Sequence, residues 1–275
     1  MQETNRLRKI IYIILIILPM KILIFGLCED ACARLSITIV YDNNGYREGL
    51  MPDWGFSCLI KGTEKTILFD TGKEGGILLE NFGKLNENPK QIDCVVISHN
   101  HPDHIGGLLP FLAVNNNVTV YLPNPTIAIT QRILAQKAKY LKTDQPTRVC
   151  KGVFLSGAMG EGIKEQSLIV NTPMGLILIV GCSHPGILNV MKKVQELFRR
   201  PLYLVIGGFH TMPESEEGMR NVIRQFKTLG VRKVGPAHCT DIRAKERFKT
   251  AYGKDYIQMG VGKVLRFSAR KKPKY

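Results

Sequence analysis

The chain lacks both glycine-marked loops that announce two common enzyme classes. No G-x-x-x-x-G-K-[ST] stretch is present to cradle a nucleotide phosphate, and no G-x-S-x-G elbow to raise a serine nucleophile. Acidic residues are scarce, 23 against 38 Lys and Arg, so the 275-residue chain carries a formal +15. That excess is uneven: Arg6, Arg8 and Lys9 precede an apolar run, while Arg266, Arg270, Lys271, Lys272 and Lys274 crowd the other end. No aromatic-interleaved basic ladder or binding module accompanies it, so nucleic acid is not an expected partner. The charge suits a small anionic substrate or an acidic membrane surface, drawn in by a long-range field. Long low-complexity tracts are also missing, which argues against a disordered or fibrous class. Seven cysteines, with Cys28 and Cys32 near the N-terminus, leave an odd number in the remainder, unlike a disulfide framework. Cys58, Cys94 and Cys150 sit in or beside apolar runs as expected core residues, whereas Cys182 and Cys239 each lie within two residues of a histidine.

Residues 1–33 read as a signal peptide or N-terminal membrane anchor. An apolar run over 10–18 is interrupted by Pro19, Met20 and Lys21, resumes over 22–27, and leads to Ala31, Cys32 and Ala33 as a small-residue cleavage site. Lys21 breaks the roughly 20-residue apolar stretch that a spanning helix needs. Export with cleavage after Ala33 is the expectation, with an anchor giving membrane association as the alternative. Translation from Met20 would instead make the protein cytoplasmic. Residues 34–275 then form one domain.

Apolar alternation and β-branched enrichment predict strands at 35–41, 56–61 and 66–70, an amphipathic stretch at 76–85, a strand at 92–98, a helix at 106–114, a strand at 118–122 and a helix at 127–141. The second half repeats the theme, with strands at 167–170, 175–181, 202–208 and 232–235 and helices at 186–199, 216–229 and 242–252. Two β-rich halves, each followed by helices, predict an α/β protein: an αββα four-layer sandwich.

All six histidines fall at the ends of these β-like runs: His99, His101 and His104 in SHNHPDHIGG, His184 in GCSHPG, His210 in GGFH and His238 in PAHC. Neutral imidazole offers a nitrogen lone pair near neutral pH, so a metal centre at strand ends is the expectation. Pro102 is expected to keep a helix from starting at once, leaving the loop to turn its side chains into a cup. His99 and His101 can then share one metal, and Asp103 and His104 can reach a second about 3.5–4 Å away. Gly106, Gly107, Gly181, Gly186, Gly207 and Gly208 are expected to let the backbone approach a metal or ligand.

SHNHPDHIGG resembles the H-x-H-x-D-H-x-G-G signature of the metallo-β-lactamase superfamily, and ILFDTG, with Asp70, resembles the strand-end Asp motif that precedes it. His184 and His238 follow in the order of the later motifs, and the likeness spans roughly residues 35–265. YDNNGY, DWGFSCLI, GCSHPGI, GGFH and HCT together are similar to the branch that includes the 7,8-dihydropterin-6-yl-methyl-4-(β-D-ribofuranosyl)aminobenzene 5′-phosphate synthases. The resemblance implies the αββα fold, one metal held by His99, His101 and His184, another by Asp103, His104 and His238, and Asp70 orienting a ligand or loop by hydrogen bonding. It implies two divalent ions, zinc foremost, with iron, manganese, nickel and cobalt also suited to a nitrogen-rich set. One departure stands out. Many members bridge their metals with an aspartate between the last two histidine motifs, yet residues 185–237 contain none, and His210 stands near that place. Contact with a metal is its leading expected role, with binding of substrate phosphate or proton donation as the alternative. Cys182 and Cys239 are reserve ligands, a core role being preferred.

The implied function is a metal-dependent hydrolase using metal-activated water on a phosphorylated or otherwise anionic substrate, with Asp103 and His210 as catalytic residues. The alternatives are a synthase-like transferase condensing its substrates with loss of pyrophosphate and, in another class, a non-catalytic metal-binding sensor or binding module. Branch motifs disfavour β-lactam hydrolysis. Nothing in the sequence speaks to oligomeric state.

Overall fold

In the segment Gly175–Val180, Ile177 and Ile179 point one way while Leu176, Leu178 and Val180 point the other, and all five are buried. A strand buried on both faces requires a layer on each side. The computed structural model, which describes residues 34–126, 128–211 and 215–268, shows what those layers are.

One sheet contains β1 (Arg34–Asp42), β2 (Phe56–Lys61), β3 (Ile67–Phe69), β4 (Cys94–Val96), β5 (Thr119–Pro123), β6 (Lys139–Thr143) and, returning from the far end of the chain, β13 (Val264–Ser268). Its order is β13-β1-β2-β3-β4-β5-β6. The other contains β7 (Thr147–Cys150), β8 (Val153–Leu155), β9 (Leu168–Thr172), β10 (Gly175–Val180), β11 (Leu202–Gly208) and β12 (Lys233–Ala237), in the order β12-β11-β10-β9-β8-β7. Strands β3 to β6 run parallel, as do β10 to β12.

Ile37, Ile39, Phe56 and Phe69 from the first sheet meet Leu168, Ile177, Ile179, Leu204 and Ile206 from the second in the central core. On the outer face of the first sheet, Leu59, Leu68, Val95 and Val120 take Leu78 and Phe82 of α1 (Gly75–Lys84). The single turn α2 (Pro102–Ile105) leads into α3 (Leu108–Val114), whose Phe111 joins the same layer. Beyond α4 (Ala128–Ala135), three helices cover the second sheet: α5 (Ile187–Phe198), α6 (Glu216–Thr228) and α7 (Ile242–Tyr252). Val190, Val194, Phe226 and Phe248 pack there on Leu176, Leu178, Val180 and Val205. Each such side chain contributes about 1.5–3 kcal/mol when fully buried. Ser215 and Asp241 accept from the backbone N–H groups of Gly218 and Arg243, fixing where α6 and α7 begin. The result is the expected αββα sandwich.

The structure corrects several local expectations. The helix predicted over 127–141 ends at Ala135, and Lys139–Thr143 pairs parallel with β5 instead; residue 127 lies outside the described residues. That strand is an exposed sheet edge carrying Lys139 and Lys142, a device that blunts edges and removes the alternation by which strands are recognised. Pro102 starts a helical turn rather than delaying one, because the first helical position has no use for its missing N–H. Gly106 and Gly107 make room for the backbone of Lys73 and Thr71, not for a ligand. The expectations for a cleavage site or anchor fall on residues 1–33, outside the described residues. Among those described, no helix is long and apolar enough to cross a membrane.

Candidate metal centre

Parallel strands bring their carboxyl ends to one rim, and every residue singled out for metal chemistry lies there. Asp70 follows β3; His99 and His101 follow β4; His104 lies in α2; His184, His210 and His238 follow β10, β11 and β12. The ligand atoms of His99, His101 and His184 lie within 4.8 Å of one another, and so do those of Asp103, His104 and His238. These are the two groups that the resemblance implied.

Hydrogen-bond polarity determines which atoms are bare. Asp70 Oδ2 accepts from His104 Nδ1 at 2.7 Å and from the Ser98 hydroxyl at 2.7 Å, while its Oδ1 accepts from the Ser98 amide at 2.6 Å. Having given its proton to Asp70, Ser98 Oγ accepts from His99 Nδ1 at 2.9 Å. Asp70 thus holds the proton on Nδ1 of His104 directly and of His99 through Ser98. Across the site, His238 Nδ1 donates to Asn43 Oδ1 at 2.8 Å, and the Gly55 amide, donating to the same atom, identifies it as the amide oxygen.

The outcome is a crowd of ring nitrogens and one carboxylate oxygen with too few protons to pair them all. His104 Nε2 and His238 Nε2 face each other at 3.2 Å, and Asp103 Oδ2 lies 3.1 Å from His238 Nε2 and 3.7 Å from His104 Nε2. His99 Nε2 meets His101 Nδ1 at 3.1 Å, and His184 Nε2 is buried without a partner. Unpaired buried acceptors are costly, and a cation at each group would satisfy them. The residues therefore fit divalent ions.

Electrostatics separates the groups. Burial pushes His99 far down, and the neighbouring His104, His184 and His101 add to this. Burial also lowers His101, and together with His210 and His101 it brings His184 down to about 4. In the other group, burial alone would lower His104, but the charge and hydrogen bond of Asp70, with Asp103 and Glu165, hold it above its ordinary value. Burial would raise Asp103, but the hydrogen bond to His238 and the charges of His104 and His238 hold it well below the usual carboxylate range.

Residues passed over in the sequence support this centre. Glu165, fully enclosed, accepts from the amides of Gly181, Cys182, Ser183 and His184 at 2.8–3.1 Å and so shapes the loop that delivers His184. Its only local signal is a lone acid in a loop whose path the sequence does not reveal. Asn43 lay in the YDNNGY motif without an assigned role. Trp54, the single tryptophan, is half-exposed and sets its ring edge against His238, centroids 5.0 Å apart. Asp70, Ser183, His210 and His238 hold φ of +56°, +65°, +43° and +42°, a strained region that costs on the order of 1–3 kcal/mol per residue and gathers at functional sites.

Of the remaining candidates, His210 is exposed with its ring 4.8 Å from that of His184. Cys182 is buried with Sγ 3.2 Å from His104 Nε2, and Cys239 is half-buried beside it. The two thiols share one hydrogen bond, which holds Cys239 below its ordinary value and, with burial, pushes Cys182 up.

Among known proteins, the chain is 29% identical over 280 residues to the 7,8-dihydropterin-6-methyl-4-(β-D-ribofuranosyl)-aminobenzene-5′-phosphate synthase of Methanocaldococcus jannaschii, covering 84% of this chain and 95% of that one. An uncharacterized protein of the same archaeon is 30% identical over 266 residues, covering 83% and 99%. The crystal structure of Tm1679, a metal-dependent hydrolase of the β-lactamase superfamily, is similar with a TM-score of 0.73 at 28% identity, covering 86% of this chain and all of that one. The model of the metallo-β-lactamase superfamily matches residues 53–211, more than half of the sequence, and the chain belongs to that superfamily.

Proposed function

We propose that the protein is a dinuclear metal-dependent hydrolase acting on a phosphorylated or otherwise anionic small molecule. One observation carries this reading: two adjoining groups, His99–His101–His184 and Asp103–His104–His238, turn bare nitrogen and oxygen atoms toward one another. Divalent ions held there, zinc foremost for such donors, would supply Lewis acidity and acidify water near neutral pH. The chain's own residues prepare the site. Asp70 keeps the protons of His104 and His99 on Nδ1, so both Nε2 atoms stay free. Asn43 does the same for His238. Asp103, ionised and partly open to solvent, would complete the second group as its carboxylate and could accept a proton there. The formal +15 favours approach of an anion.

A synthase-like transfer is the second reading, favoured by the near full-length match to the M. jannaschii synthase. Metal-replete protein assayed against phosphomonoesters, phosphodiesters, lactones and pterin precursors separates the two. Turnover of a phosphoester with water supports hydrolysis. Product formation only when a pterin precursor and an aminobenzene acceptor are supplied together would replace it with the synthase. Bound metal with no turnover on any of them would leave a binding module. Location depends on residues 1–33: N-terminal sequencing of native protein that begins at Arg34 would carry export, and a start at Met20 would overturn it.

A further inference from the structure

Strands β10, β11 and β12 lie side by side in parallel register, with Val180 opposite Gly207 and Gly208 opposite Ala237. Two residues beyond the end of each stands a metal-binding side chain: Cys182 after Val180, His210 after Gly208 and Cys239 after Ala237. Neighbouring parallel strands leave a sheet at the same edge, so equal offsets from their ends bring these three side chains together. Their donor atoms lie within 4.8 Å of one another. Neither group described above uses His210 or Cys239.

The backbone is shaped around the thiols. Any side chain at Gly208 would begin 2.5 Å from Cys239 Sγ and 2.5 Å from the Gly181 carbonyl, so only glycine leaves the thiol its place. His210 and His238, which immediately precedes Cys239, both adopt the left-handed conformation. That strain turns the chain back toward the rim at two of the three strand ends. Both cysteines are free, so no disulfide accounts for their proximity.

Behind the first of the three, the enclosed carboxylate of Glu165 accepts from the Cys182 amide at 2.9 Å and fixes where that thiol stands.

We infer that Cys182, His210 and Cys239 form a third cation site, adjoining the two imidazole groups and selective for a thiophilic ion of the zinc class. Thiolate and imidazole donors suit such an ion, whereas magnesium and calcium prefer oxygen. Each thiol that becomes a ligand releases its proton to solvent as its sulfur–metal bond forms. The exposed imidazole of His210 gives this site a face toward solution. The inference does not depend on the hydrolase reading, because it is tested by metal binding alone.

Full-length protein, stripped of metal and titrated with cobalt(II), provides that test. Thiolate-to-cobalt charge transfer absorbs in the near ultraviolet, and imidazole or carboxylate ligation does not. The band is expected to grow with a third equivalent, to persist in His101→Ala, and to vanish in the Cys182→Ser/Cys239→Ser double variant with one equivalent less bound. Because buried Cys182 also contributes to packing, His210→Gln at an exposed position provides a second variant, expected to weaken the third equivalent at least tenfold while the fold is retained. No charge-transfer band at saturating cobalt(II) would overturn the site. A band lost in Asp103→Asn but kept in His210→Gln would overturn it too, by assigning the sulfur to the Asp103–His104–His238 group.

Discussion

The two imidazole groups stand side by side at one rim, yet they are built on opposite principles. Among the described residues, no carboxylate touches the imidazoles of His99, His101 and His184; burial keeps all three neutral, and one nitrogen, His184 Nε2, is left without any partner. Asp103, His104 and His238 include an ionised carboxylate, and Asp70 beneath them holds His104 above its ordinary pKa. Without an ion, the second group can share a proton among its acceptors, while the first stays neutral. The first group therefore relies on neutral donors held in place, and the second on charge. Asp70 is the element common to both, reaching one through Ser98 and the other directly.

The largest expected effect comes from removing a ligand. His101→Ala should empty the first group and abolish nearly all turnover; metal analysis that finds no equivalent lost, with activity intact, would sink the assignment of these groups. Asp70→Asn should weaken both groups together, by about 10–100-fold in metal affinity, the range expected for hydrogen-bonding partners of ligands. Chelator competition showing loss at one group alone would contradict its shared role. Glu165→Gln sharpens the contrast on the first group's side, since an amide replaces one acceptor with a donor against the amides of residues 181–184. Denaturant melts should register about 1–3 kcal/mol of destabilisation. The comparison splits cleanly with two smaller changes: Ser98→Ala should weaken only the first group and Asn43→Ala only the second, each by roughly tenfold. Equal losses at both groups in either variant would break the proposed separation.

Far from the rim, the Lys233–Asp255 ion pair, 2.9 Å apart, sets the floor. Lys233 holds the Asp255 carboxyl below its ordinary value. Its contribution is therefore present above the unfolded-state pKa and lost as pH falls through the lower folded-state one. For a solvent-screened pair at the surface, Asp255→Asn should change stability by less than about 1 kcal/mol, with metal content unchanged.

Local pattern was enough for much of this fold. The strands at 56–61 and 202–208 and the helix at 242–252 have the boundaries the sequence predicts, because apolar alternation or helical spacing there coincides with burial against one layer. Strand β6 was illegible because its exposed edge carries no alternation. β13 was missed as well, and it pairs with β1 from the opposite end of the chain. The first patch of candidate ligands was readable because His99, His101, Asp103 and His104 are close in sequence. Glu165 was not, since its meaning lies entirely in four amides that follow it by 16 to 19 residues.

By itself the sequence determined which residue types can bind metal, that they end β-like runs, and that layered sheets carry them. Those are matters of spacing and side-chain chemistry, and both are local. Only the tertiary structure decided which histidine faces which, where each proton resides, and that Cys182, His210 and Cys239 meet at one edge. Such facts arise from strand register and from hydrogen bonds between residues tens to nearly two hundred positions apart, and no window along the chain contains them.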